Sequence, residues 1–256
     1  MEKGQNRKVE PIRKPFQGTW NIIRFNWHFY VLAALFICGT LLVGNLVSNA
    51  YLLVIYIFSA LISLSTLISL LVSFYVYDLS NLYTFNWLSN QINNLDINIV
   101  NIHAGFDETS EILNAKFPAA KLTVLDFYNP LKHTEVSIKR ARNAYKPFHA
   151  TKQVITTNLQ LPNKYADDIL IVFAAHEIRN ERERIAFFKE IKRIVKPEGN
   201  IIVVEHLRDL PNFLAYNIGF FHFLSRPAWY VTFTGAGLKV ISEKKLTPFV
   251  NIFKLA

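Results

Sequence analysis

The chain has 256 residues, 51% of them hydrophobic and 18% charged, with a net charge of +9. That balance departs from an average soluble protein, and the charge is too unevenly placed to form a nucleic-acid surface. Lys3, Arg7, Lys8, Arg13, Lys14 and Arg24 crowd residues 1–28, residues 29–77 carry no charge, and the mildly basic remainder has no basic stripe interleaved with stacking aromatics.

The N-terminal pattern predicts a basic, aromatic leader (1–28) ahead of two apolar spans. "FYVLAALFICGTLLVGNLV" (29–47) reaches about 28 Å as a helix, close to a bilayer's hydrocarbon thickness of about 30 Å. "YLLVIYIFSALISLSTLISLLVSFYVY" (51–77) is longer and would tilt. A second span following directly on the first argues against a signal peptide, so a transmembrane hairpin is expected. With basic residues before the first span and none in the turn, both termini and the following domain are expected on the cytoplasmic side of the cytoplasmic (inner) membrane. Trp20, Phe25, Trp27 and Tyr30 at the entrance and Tyr75, Tyr77, Tyr83, Phe85 and Trp87 at the exit suit one interface. "PFQGTWNIIRFNWHFY" reads equally as a short surface helix or, as far as Lys14, as a disordered leader. The single cysteine, Cys38, cannot form an intrachain disulfide.

After a connector (78–94), residues 95–256 alternate strands with helices. Strands are expected at 97–102, 121–127, 152–158, 167–175 and 200–206, with helices at 108–116, 135–145 and 181–194. "PEG" (197–199) reads as a break, "PNFLAYNIGFFHFLSRPAWYVTF" (211–233) as an aromatic segment, and 238–255 as two strands around Pro248. Such alternation calls for an α/β fold with a mainly parallel sheet, its ligands at the carboxyl ends of the strands. Within that frame Asp126 ends the second strand 21 residues after Gly105, a position suited to ribose hydroxyls. The histidines 28, 103, 133, 149 and 222 show no metal-ligand spacing, and no metal site is expected.

"DDILIVFAAHEIRNERERIAFFKEIKRIVKPEGNIIVVEHLRD" (167–209) resembles the class I S-adenosylmethionine-dependent methyltransferases, nearest their small-molecule, quinone C-methyltransferase-like group. Asp168, His176, Glu190, Arg193, Lys196, Pro197, Gly199, Glu205 and His206 follow the family's order. The resemblance implies a Rossmann-like seven-stranded sheet whose last strand is antiparallel and inserted beside the fifth. It implies S-adenosyl-L-methionine as cofactor, with Asn101, His103, Gly105, Asp126, Phe127, Asn158, Leu159 and Ala174 about it. The family's acid and three alternating glycines become Asn101, His103, Gly105 and Asp107 in "VNIHAGFDETSEIL", so one glycine remains. Asp107 is expected to cap the next helix, Phe127 and Leu159 to lie on the adenine, and Asn158 to face its amino group.

Methyl transfer from a sulfonium requires alignment above all. His176 and Glu177 after the fourth strand, and His206 after the fifth, are the candidate catalytic residues, with His176 orienting the acceptor or serving as a base. The whole reads as a membrane-anchored methyltransferase for a lipophilic small molecule: a quinone, lipid or pigment precursor. The competing expectation is a non-catalytic scaffold that keeps the fold.

Overall fold

The computed structural model describes residues 12–44, 49–88 and 97–256. The expectations for the leader's residues 1–11, for 45–48 between the spans, and for 89–96 fall outside these.

Three helices come first: α1 (Gln17–Phe25), α2 (Trp27–Gly44) and α3 (Asn49–Phe74). Helices α2 and α3 pack side by side and are long and apolar enough to cross a membrane, with 6% of either apolar window buried. A core helix would bury a face; these two leave Leu35, Leu42, Leu53, Leu61 and Leu71 exposed. Helix α3 runs into a π-helical turn, Tyr75–Leu79, which brings Asp78 back onto the start of α1. There the Asp78 carboxylate accepts from the free backbone N–H groups of Gly18 and Thr19, each at 2.8 Å. An anion at a helix N-terminus satisfies donors the helix cannot, so one carboxylate ties α1 to the end of α3.

The rest is a seven-stranded sheet in the order β3-β2-β1-β4-β5-β7-β6. The strands are β1 (Asn98–His103), β2 (Lys121–Asp126), β3 (Lys152–Gln153), β4 (Ala166–Val172), β5 (Val195–His206), β6 (Val240–Thr247) and β7 (Val250–Leu255). Strands β1 to β5 pair in parallel, and β7 runs antiparallel between β5 and β6, as expected of the sheet. The helices are α4 (Ser110–Lys116), α5 (Val136–Ala144), α6 (Glu181–Ile194), α7 (Leu210–Tyr216) and α8 (Arg226–Gly235).

The apolar runs of β1 and β4 are buried on both faces, as a covered parallel sheet requires. One face holds Ile102, Ile171 and Val203 against Phe187, Phe188 and Ile191 of α6 and Trp229 and Phe233 of α8. The other face packs Ile99, Leu170 and Val204 against Val76, Leu82, Phe85 and Leu88. The connector therefore forms part of the second layer. Each such fully buried large side chain contributes about 1.5–3 kcal/mol of transfer free energy.

Two elements differ from the sequence expectation. Strand β3 is two residues long instead of 152–158, because the chain turns at Ile155–Asn158, where a single antiparallel bridge closes it, and sends Leu159 into the core. "PEG" does not break the chain: Val195–His206 is one strand, with Pro197 and Gly199 opposite a register shift between Ala166 and Asp168. Such an irregularity is where a strand accepts proline.

Candidate active site

The carboxyl ends of β1 and β2 stand side by side, with His103 in register with Asp126. Beyond His103 the chain turns on Gly105, whose φ of 92° favours glycine. Asp107 then caps α4 as expected: its Oδ1 accepts from the N–H groups of Thr109 and Ser110, both at 2.9 Å. Asn101, buried in β1, donates from Nδ2 to Thr109 Oγ1 and Ser110 Oγ at 2.8 Å.

Three buried polar atoms around this turn lack a hydrogen-bond partner among the described residues: Asn101 Oδ1, His103 Nε2 and Asp107 Oδ2. His103 is otherwise held, its Nδ1 accepting from Gly105 N–H at 3.2 Å and lying 3.8 Å from Asp126 Oδ1. Unpartnered buried groups are costly unless something meets them. Asn101 Oδ1 and Asp107 Oδ2 are acceptors and suit a small cationic group such as an ammonium; His103 Nε2, which carries the proton when Nδ1 accepts, lies 3.9 Å from Asp107 Oδ2.

Asp126 sits where the sequence reading wants a ribose-binding acid, but its oxygens are engaged. Oδ1 accepts from Tyr128 N–H at 2.8 Å, and Oδ2 accepts from Arg142 Nη1 of α5 at 2.6 Å. Arg142 also donates to Gly105 O and lies over the Tyr128 ring. A Cβ placed on Gly105 would meet Tyr128 Cδ2 at 2.8 Å and Arg142 Nη1 at 3.0 Å. Arg142 and Tyr128 thus cover the glycine and the acid together. From the other side, Phe106 packs on Phe25 of α1 and on Tyr145, while Glu108 accepts from Arg13, Asn21 and Tyr83. The sequence reading missed Arg142 and Tyr128, which no motif marks.

The adenine side departs from expectation. Phe127 is buried against Phe187 of α6, with ring centroids 5.2 Å apart, and Leu159 and Ala174 are core residues. Asn158 is exposed, and its Oδ1 accepts from Gln160 N–H in a local turn. Phe127 and Leu159 point into the layer beneath α6, and the shortened β3 turns Asn158 outward. Of the residues the sequence reading assigns to the cofactor, Asn101 Oδ1 and Asp107 Oδ2 are unpartnered and chemically suited to an ammonium, whereas Asp126 is occupied by Arg142. The residues expected about the adenine do not provide its seat in this conformation.

Across the sheet, His176 and Glu177 lie in a buried 3-10 turn, Ala175–Glu177, after β4. His176 Nδ1 is 2.6 Å from Glu205 Oε2 of β5, and its Nε2 is 3.2 Å from Glu177 Oε1. Burial opposes charge on this imidazole, but Glu205 and Glu177 outweigh it and raise its pKa to about 10. His176 is therefore protonated near neutrality. It fits the orienting role and not that of a base at near-neutral pKa. Burial alone would raise Glu177; His176 and His222 instead hold it well below the usual carboxylate range. His222, which sequence spacing left aside, lies in the 3-10 segment Asn217–His222 and brings its Nε2 to 3.1 Å from Glu177 Oε1.

His206 is not brought to this cluster as a free base. Its Nδ1 lies 2.9 Å from Phe249 O and its Nε2 2.8 Å from Tyr77 OH, so Nδ1 carries the proton and Nε2 accepts. The ring stacks on Phe173 and Phe223, and burial lowers its pKa to about 4. It joins β5 to the π-helical turn that ends α3. A separate groove of about 460 Å³, lined by Arg208, Asp209, Arg226 and Glu243 among others, opens beside α7 and α8, away from Gly105.

Comparison with known proteins supports the architecture. Residues 102–203 match the family model described as "Methyltransferase domain". A SAM-dependent methyltransferase from Aquifex aeolicus is similar at 14% identity and a TM-score of 0.50, covering 68% of this chain and 90% of its own. The PH0226 protein from Pyrococcus horikoshii is similar at 12% identity and a TM-score of 0.50, covering 68% and 88%. Among curated proteins none matches the sequence.

Proposed function

We propose, from the match of residues 102–203 to the methyltransferase-domain model and the likeness to solved methyltransferase structures, that this protein is a membrane-anchored methyltransferase of a lipophilic small molecule. S-adenosylmethionine supplies the methyl group of this class. The reading places it with the small-molecule, quinone C-methyltransferase-like group and takes a quinone, lipid or pigment precursor as the acceptor class.

One observation carries the membrane part of the reading. Helix α7 packs against α3, and from there Leu210, Phe213, Leu214, Ile218 and Phe221 stand exposed, continuing the apolar surface of the two long helices. An exposed apolar surface of that extent marks contact with a membrane or a partner. An acceptor dissolved in the bilayer would pass along it to the ends of β4 and β5. The basic residues ahead of α2 support placing the domain and both termini on the cytoplasmic side of the inner membrane.

At the cofactor loop, Asn101 Oδ1 and Asp107 Oδ2 would receive the cofactor's ammonium, Gly105 would let its backbone approach, and Asp126 would hold its ribose. Arg142 must release Asp126 first. The second reading, a scaffold that keeps the fold without catalysis, draws support from that same cover.

Calorimetry with S-adenosylmethionine on the detergent-solubilised full chain separates the two. Saturable binding is expected in the wild type. Arg142→Ala should tighten it about fivefold, since an ion pair to a partly exposed arginine is worth about 1 kcal/mol. No binding at millimolar cofactor in either protein would leave the scaffold reading. Incubation of membrane extract with methyl-labelled cofactor would then identify the acceptor.

A further inference from the structure

His176, Glu177 and His222 are brought together from two separate parts of the chain, and their ligand atoms all lie within 4.8 Å of one another. Two of the edges are 3.2 Å (His176 Nε2 to Glu177 Oε1) and 3.1 Å (His222 Nε2 to Glu177 Oε1). Donors at right angles about 2.1 Å from a common ion stand about 3.0 Å apart, so these edges already have the length of a coordination shell. We propose that His176, Glu177 and His222 bind a divalent transition-metal ion past the carboxyl ends of β4 and β5.

Three further observations support it. Each imidazole has a carboxylate on its other nitrogen: Glu205 Oε2 lies 2.6 Å from His176 Nδ1, and Glu135 Oε1 lies 2.5 Å from His222 Nδ1. At His176 that carboxylate fixes the tautomer that leaves Nε2 free to coordinate; at His222 Arg179 Nη2 also lies against Nδ1, and it has to move before Glu135 can do the same. Burial is the second. Side-chain exposure is 7% at His176 and 8% at Glu177, against 22% at His222, so the ion would be shielded except on the His222 side.

Charge is the third. Glu135, Glu177 and Glu205 face the two imidazoles and Arg179, whose Nη2 lies 3.1 Å from His222 Nε2 and 3.2 Å from Glu135 Oε1. Three carboxylates thus ring the two imidazoles, an acidic setting that a bound cation would answer.

Two nitrogens and one oxygen select a borderline ion such as Zn²⁺ or Fe²⁺ over Mg²⁺ or Ca²⁺, which prefer all-oxygen shells. Three protein ligands leave positions open, as in metal sites that take up an exogenous oxygen. Arg179, itself 43% exposed, must turn away from His222 for the ion to enter. The sequence expectation of no metal rested on spacing along the chain, which does not reach from His176 to His222.

Metal binding is read without cofactor or acceptor, so this proposal can fail while methyl transfer stands, and the reverse. The full chain in detergent is stripped with a chelator and titrated with Zn²⁺ against a chromogenic competitor, and with Co²⁺ followed by its visible d–d absorption. One equivalent should bind, with Co²⁺ bands of nitrogen–oxygen coordination. His222→Ala and Glu177→Gln should each weaken binding at least tenfold, and Glu135→Gln by about tenfold. His149→Ala, outside the cluster, should leave it unchanged, with thermal melts confirming that each variant is folded. Absence of saturable binding, or affinity unaltered in both His222→Ala and Glu177→Gln, overturns the proposal.

Discussion

His206 illustrates how a residue placed by pattern takes its role from its neighbours. It ends β5 where a catalytic base is expected, yet Phe249 O and Tyr77 OH occupy its two nitrogens. Burial lowers its folded pKa to about 4 from 6.5. As pH falls below about 6.5 the unfolded chain takes up a proton that the folded chain refuses. Stability is therefore lost from about pH 6.5 down to about pH 4, by up to about 3 kcal/mol, and no further below that. Thermal midpoints measured across this range should fall more steeply for the wild type than for His206→Gln, in which this titration is absent. Parallel curves would show that His206 does not govern this limb. Other residues were legible in place but not in company. Asp126, Gly105 and Asp107 stand where the sequence puts them, because strand ends and caps are local. Arg142 reaches Asp126 from α5, and a contact made by helix packing leaves no local signature.

At the scale of elements, long periodic segments were the readable ones. Helix α6 spans 181–194 as expected because Asn180 caps it, its Oδ1 accepting from Glu183 N–H at 3.0 Å. Its Phe188 and Ile191 stripe meets the sheet. Punctuation misled at "PEG", since proline and glycine usually stop an element but here sit at a register shift inside β5. Gly199 is required there for space: a Cβ would lie 2.7 Å from Asp167 O and from Val195 Cγ2. Gly199→Ala should cost about 1–3 kcal/mol through forced strand movement and lower the thermal midpoint. An unchanged midpoint would mean that the β4–β5 pairing relaxes freely at this point. Strand β3 went the other way, overestimated because Val154 and Ile155 look like strand residues while Thr156 to Asn158 turn the chain.

For the whole molecule, a mainly parallel seven-stranded sheet with its last strand antiparallel beside the fifth followed from alternation and resemblance, whereas the joining of the apolar helices to the sheet did not. That joining runs through Asp78 on α1, Tyr77 on His206 and α7 on α3. In the proposed setting the exposed Leu214 and Ile218 lie on the entry path of the acceptor. Replacing both with glutamate should reduce turnover of a membrane-borne acceptor about tenfold, since losing about 1.4 kcal/mol of apolar contact changes an equilibrium by that factor. Affinity for S-adenosylmethionine should not change. Equal turnover in variant and wild type would place the entry path elsewhere.

The π-helical turn at Tyr75–Leu79 bears on the choice of acceptor. In the proposed membrane setting, the bonds of Tyr77 to His206 of β5 and of Asp78 to α1 would hold the domain at one altitude and inclination over the bilayer. A reactive carbon would then be met at a single depth. Acceptors differing in tail length should be interchangeable, whereas those whose reactive ring floats higher or sinks deeper should be refused.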